Sequence, residues 1–279
     1  MDALASEIGW SGYQQGIVDS WRGSKHARHE DYVAAEVPVA LVYNQVPHVV
    51  MLATPLDLED FALGFSLTED ILQNPDELQS LRVVERVKGI EVRMRIPENR
   101  FVRLENKGRN MTGRTGCGLC GSITLEQAVR KPRPVGQGLK LHAAMMMSAF
   151  DEMQAQQALN RLTGAVHAAA WWCPDSGIRL IREDIGRHNA LDKLIGMLSR
   201  TGCRFDRGCL LVTSRASFEM VQKAATVGIT VMAAISAPTA LAIQLAEECG
   251  LTLVGFARKD SHVIYSHPQR IQHIRNIAS

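Results

Sequence analysis

Leu210-Leu211-Val212-Thr213, Ile229-Thr230-Val231-Met232-Ala233-Ala234-Ile235 and Leu251-Thr252-Leu253-Val254-Gly255-Phe256 are three short, largely apolar runs. Runs of this length and composition read as buried strands. Between them lie two helix-length segments, Phe218 to Thr226 and Pro238 to Glu248, entered through Ser214-Arg215-Ala216-Ser217 and Ser236-Ala237-Pro238-Thr239. The order strand, helix, strand, helix, strand predicts an α/β fold with a parallel core, right-handed crossovers and helices on the sheet faces. In open α/β sheets ligands gather where a strand ends and a helix begins. Both junctions are therefore candidate binding loops, and Gly186-Arg187-His188-Asn189 is a third.

The same alternation extends upstream. Phe150 to Leu162 reads as a helix ending at Gly164, Val166 to Trp172 as a strand, and Cys173-Pro174-Asp175-Ser176-Gly177 as a turn leading to an antiparallel partner over Ile178 to Ile181. Leu191, Leu194, Ile195 and Leu198 recur at helical spacing and predict a helix from about His188 to Leu198. Before all of these, Lys131-Pro132-Arg133-Pro134-Val135-Gly136-Gln137-Gly138 has the composition of an interdomain linker.

The N-terminal half reads differently. Val33 to Val50 predicts two strands turning at Tyr43-Asn44-Gln45, and Leu81 to Arg95 predicts strand structure around Lys88-Gly89. Between them, Leu58, Phe61, Leu63, Phe65 and Leu72 follow the acids Asp57, Glu59 and Asp60, which suit a first helical turn. Asn106-Lys107-Gly108-Arg109-Asn110 reads as a loop, and Thr124 with Gln127 fits a capping box for a short helix to Val129. The expected organisation is a polar arm over 1–30, a smaller α+β domain over 31–138, and an α/β domain over 139–279.

Bulk properties exclude several classes. The 279 residues carry a formal net charge of +2, which gives no reason for bulk binding to nucleic acid. Residues 1–30 lack the apolar run of a secretory signal, and Ile229 to Leu245 is interrupted by Ser236, Pro238 and Thr239, so no membrane span is expected. Six cysteines without a signal segment suggest a reducing, cytoplasmic setting in which thiols stay available.

Two of them lie in Gly113-Arg114-Thr115-Gly116-Cys117-Gly118-Leu119-Cys120-Gly121. The spacing suits half a zinc site or a reactive pair. Structural zinc takes four ligands, usually as two close pairs, and Cys173, Cys203, Cys209 and Cys249 form no second pair. Lys107, Arg109, Arg114 and the expected following helix N-terminus favour thiolates, the nucleophilic form. No metal is expected. His167 sits in an apolar strand, as either a core histidine or a catalytic one. A zinc deaminase would carry His-x-Glu, but Ala169 holds the glutamate position. Arg187, His188 and Asn189 fit either a solvated helix start or a phosphate contact.

Together, Gly116 to Gly121, His167-Ala168-Ala169, Asp184-Ile185-Gly186-Arg187-His188-Asn189-Ala190-Leu191-Asp192-Lys193, both Ser-containing junctions and Leu253-Val254-Gly255-Phe256 resemble the formate dehydrogenase accessory sulfurtransferase family, in order, from about Val33 to Arg270. Ala165 stands where many members have glycine. The resemblance implies a cytoplasmic, homodimeric sulfurtransferase that takes sulfur from a cysteine desulfurase and delivers it to the molybdenum bis(molybdopterin guanine dinucleotide) cofactor, its bound substrate, for the formate dehydrogenase catalytic subunit. It implies a persulfide on Cys117, with Cys120 as second thiol. It also implies a cofactor-binding segment of Phe256, Ala257, Arg258, Lys259, Asp260 and Ser261, where a guanine nucleotide can substitute, and a cytidine deaminase-like C-terminal domain with a mixed sheet. Arg187, Arg215, Arg258 and Lys259 are then placed to neutralise diphosphates. The alternative is a cofactor-binding chaperone through which no sulfur moves.

Overall fold

In the computed structural model, which describes residues 11–108, 131–258 and 261–273, the three apolar runs form β10 (Cys209–Val212), β11 (Val231–Ala234) and β12 (Thr252–Arg258). They are parallel and in register, with Leu210 opposite Met232 and Met232 opposite Leu253. The connecting helices are α6 (Phe218–Thr226) and α7 (Ala240–Cys249). Antiparallel strands extend the sheet on both sides: β8 (His167–Cys173) and β9 (Gly177–Asp184) beyond β10, and β13 (Ser261–Ser266) beyond β12. The result is a mixed six-stranded sheet of order β13-β12-β11-β10-β8-β9.

β10, β11 and the start of β12 are buried on both faces, which is why they read as continuous apolar runs, whereas the edge strands β9 and β13 are partly exposed. Ala168, Ala170, Trp172, Leu211, Ala233 and Val254 pack beneath α3 (Ala143–Gln156). Trp171, Leu210, Val212, Met232, Ala234 and Leu253 point the other way, into a larger core with α5 (Arg187–Arg200), α6 and α7. The helix expected over Phe150 to Leu162 begins earlier and divides, with α4 (Ala158–Thr163) starting anew after buried Gln157. The division has a tertiary cause: the Glu183 carboxylate accepts from Leu159 N and Asn160 N, both at 2.9 Å, and so caps α4 from a distant strand.

In the N-terminal half, β3 (Val37–Tyr43) and β4 (Val46–Ala53) turn at Asn44 and Gln45, both with positive φ. Helix α1 (Leu58–Thr68) follows, then β5 (Ser80–Arg86) and β6 (Gly89–Arg95), giving a sheet of order β4-β3-β6-β5 with β3 and β6 parallel. Residues 106–108, expected in a loop, finish helix α2 (Glu98–Gly108). That helix is anchored by few apolar contacts, including Phe101 and Leu104, and by Arg100 gripping Glu77 at 2.7 Å, so its apolar periodicity is thin.

Val39, Leu41, Tyr43, Val92 and Met94 of this sheet join the same core as α5 and the six-stranded sheet, through α1. The two expected domains thus share one core, because neither the inner face of the small sheet nor α1 could be covered alone. The 131–138 segment is irregular, as expected of a linker, but it is pinned: Val135 N donates to Cys249 O at 2.8 Å, and Arg270 donates to the carbonyls of Gly136 and Gln137. Near it, β7 (Leu141–His142) pairs in parallel with β14 (Ile271–Gln272). The arm expected over 1–30 is polar, but residues 13–34 fold as a hairpin of β1 (Tyr13–Arg22) and β2 (Lys25–Ala34). Among the described residues no helix is long and apolar enough to cross a membrane.

Candidate functional site

The carboxyl ends of β10, β11 and β12 lie along one edge of the six-stranded sheet, and β8 begins at that edge because it runs antiparallel to β10. His167, at the start of β8, opposes Asp184, at the end of β9. One edge therefore gathers His167, the entry to α5, both Ser-containing junctions and the Phe256 segment.

Backbone hydrogen bonds lace these segments together. Ile235 N donates to Val212 O (3.1 Å), Thr239 N to Ala216 O (3.1 Å), Thr213 N to Ala168 O (3.1 Å) and Phe256 N to Ser236 O (3.2 Å). Gly255 makes the last contact possible, since a Cβ there would lie 2.8 Å from Pro238 Cδ and 2.9 Å from Tyr265 Cε2. Phe256 then adopts φ 50° and is 41% exposed, at an irregularity in the β12–β13 pairing. Positive φ is costly for a bulky side chain and points to a constrained, functional position. Within the expected cofactor segment Ala257 is buried, Arg258 and Ser261 are exposed, and Lys259 and Asp260 lie outside the described residues. Cys117 and Cys120 also lie outside them.

The long motif from Asp184 to Lys193 divides into structural and available groups. Asp184 and Lys193 are fully buried and paired at 2.7 Å. Asp184 also accepts from Thr54 N, Gly186 N and Asn189 Nδ2, while Lys193 donates to Thr54 O. Asn189 further donates to Leu52 O, so it is committed to joining α5 to the end of β4 and is not free for phosphate. Asp192 pairs with buried Lys223 at 2.9 Å and accepts from Thr68 Oγ1 at 2.7 Å. Asp192 and Glu69 keep the Lys223 ammonium charged against its burial.

What remains is a polar cluster. His188 is buried, and its Nε2 lies 2.8 Å from Glu219 Oε2, a close polar contact without hydrogen-bond alignment. Arg187 Nε, Ser217 Oγ and Glu219 Oε1 are buried with no hydrogen-bond partner among the described residues. Several such atoms together are unusual and mark a place where a ligand or water belongs. Glu219 escapes sequence reasoning because an acid in a first helical turn looks like a complement to the helix dipole. Arg215 is exposed beside this cluster, and Ser214 is buried with its hydroxyl donating to Arg215 O.

Burial, then Arg187, then His188 hold the His167 pKa below its ordinary 6.5. The unfolded chain takes up this proton first as pH falls, so the folded state loses stability as pH drops through about 6.5. His167→Gln is expected to flatten the melting temperature against pH between about 7 and 5. An unchanged slope would place the acid sensitivity elsewhere.

Among the described residues no three His, Cys, Asp or Glu side chains come together as a metal site. Cys173, Cys209 and Cys249 are buried free thiols; burial raises all three pKa values, which makes them inert.

A family model described as the FdhD/NarQ family matches residues 34–272. A protein named sulfur carrier protein FdhD from Cupriavidus necator is 51% identical over 261 residues, 94% of this chain and 91% of that one. Another of the same name from Xanthomonas euvesicatoria is 50% identical over 250 residues, covering 90% and 89%. A crystal structure of a putative formate dehydrogenase accessory protein from Desulfotalea psychrophila superposes with TM-score 0.71 at 21% identity, covering 93% of this chain and 99% of that one.

Proposed function

The chain belongs to the FdhD/NarQ family, and on that premise we propose that it is a sulfur carrier for a formate dehydrogenase. The Cys117 thiolate attacks the outer sulfur of a cysteine desulfurase persulfide; a new S–S bond forms on Cys117 and the desulfurase thiolate leaves. Delivering that sulfur as sulfide takes two electrons. Cys120 supplies them by attacking Cys117, so that a Cys117–Cys120 disulfide forms as sulfide departs to the substrate, the molybdenum bis(molybdopterin guanine dinucleotide) cofactor. The reaction is cytoplasmic and the carrier is a homodimer whose C-terminal half is of the cytidine deaminase-like class.

The observation that carries this reading is the convergence of five chain segments at one sheet edge around buried polar atoms without partners among the described residues. Arg187, Arg215 and Arg258 supply positive charge for diphosphates there. The exposed Phe256 ring is a platform on which a guanine base can stack. Donors at Arg187 Nε and Ser217 with an acceptor at Glu219 Oε1 suit a base edge that presents both acceptor and donor groups.

The test has two arms. After incubation with a cysteine desulfurase and cysteine, mass spectrometry is expected to find one added sulfur on Cys117, absent in Cys117→Ala; no adduct with an active desulfurase leaves the chaperone alternative. Separately, Arg258→Ala is expected to weaken GDP binding about tenfold, the worth of one charge-assisted hydrogen bond, with persulfide formation intact. Unchanged GDP affinity would remove the nucleotide from this edge.

A further inference from the structure

The β1–β2 hairpin stands apart from the shared core. Among the described residues its strands pair only with each other, and every residue from Trp21 to Asp31 is exposed. A lone two-stranded ribbon is marginal in water and its edges invite further pairing. It precedes the family match, which begins at residue 34.

The turn determines which backbone groups are free. Gly23, at φ 62°, and Ser24 join Arg22 to Lys25, so these flanking residues form the hydrogen-bonded pair of a two-residue hairpin. By alternation Lys25, Ala27, His29 and Asp31 face β1, while His26, Arg28, Glu30 and Tyr32 turn their N–H and C=O groups to the free edge. Two side-chain contacts agree: Ser20 Oγ donates to Ala27 O across the ribbon, and among the described residues Glu30 O is met only by the neighbouring His29 ring, at 2.8 Å.

We propose that β2 pairs antiparallel with β2 of a second copy of this chain, about a two-fold axis at His29. Symmetry requires opposed residues of one alternation class, and centring on His29 places Arg28 against Glu30 of the second copy, twice, through edge-facing backbone groups. Centring on Glu30 instead would oppose two glutamates. The chosen register also puts His26, which lies against Trp21 with ring centroids 4.7 Å apart, beside Tyr32 of the second copy, which packs on its own Tyr13 at 5.3 Å. An aromatic row then crosses the four-stranded sheet on the face where Trp21 is 70% exposed and Ile17 66%. Arg28 forms no ion pair among the described residues, leaving it available for the contact.

This gives the homodimer of the proposed function an interface, and sedimentation of the full chain separates the two ideas. The wild type is expected to dimerise; Glu30→Arg or Arg28→Glu, each opposing like charges twice, should weaken the dimer at least tenfold, and the double variant Arg28→Glu/Glu30→Arg should restore it. Rescue excludes a hairpin that merely unfolds. A dimer indifferent to both single changes overturns this interface while keeping the homodimer, and a monomeric wild type overturns both.

Discussion

Asp184→Ala is expected to destabilise the protein by about 3–5 kcal/mol, because it leaves the Lys193 ammonium buried without its counter-charge. Both side chains are fully buried, and the carboxylate also receives Thr54 N, Gly186 N and the Asn189 amide. Its removal takes an acceptor from four donors at once, just after β4, at the α5 entry and on α5 itself, and leaves Lys193 with Thr54 O and Asn189 with Leu52 O but no carboxylate. Urea denaturation followed by circular dichroism measures the loss. The companion variant Asp184→Ala/Lys193→Met tests the cause, since removing both charges should recover a large part of the stability while removing one should not. A single variant that loses under about 1 kcal/mol would show that Lys193 finds another partner or water, and the strut between the two halves would have to be sought elsewhere. Because Asp184 lies opposite His167, the single variant should also weaken GDP binding, through a misplaced site edge.

The same motif shows what could be read from residues alone. The parallel strands and α6 were legible because buried strands must be apolar on both faces and the helices between them begin after serine or threonine. The gathering of the Ser-containing junctions and the Arg187 region at one edge also followed from strand order, since carboxyl ends of parallel strands share a side. The division of labour inside Asp184 to Lys193 was not legible. A buried Asp–Lys pair and a solvated one look alike in sequence, and only Thr54, Leu52 and Thr68, all distant along the chain, decide which residues are struts. Helix α2 was missed because few apolar side chains anchor it, and the hairpin because its two faces are both exposed and so carry no apolar alternation. Glu183 capping α4 is a long-range effect of the same kind.

Gly196→Ala carries the other large expectation, a loss of at least about 3 kcal/mol, at the upper end of what overpacking costs. Helices α1 and α5 cross with their backbones in contact. A Cβ on Gly196 would run into Asp60 O and lie 2.7 Å from Asp60 C, and a Cβ on Gly64 would run into Asp192 O and lie 2.8 Å from Gly196 N. No flexible side chain can yield there, so the helices must separate. Separation would not be local, because each helix carries charges whose partners lie on other elements. Asp60 receives Arg182 at 2.7 Å and Arg200 at 3.3 Å, and Asp192 holds Lys223. Moving α1 outward stretches the Asp60 pairs and the Thr68–Asp192 hydrogen bond and opens the core that the small sheet shares with the larger one. Gly16→Ala is the control, since a Cβ there meets nothing within 4 Å, and its effect should stay within about 0.5 kcal/mol. If Gly196→Ala unfolded at the same urea concentration as the control, the helices would tolerate a wider crossing, and the two halves would be coupled less tightly than a single shared core requires.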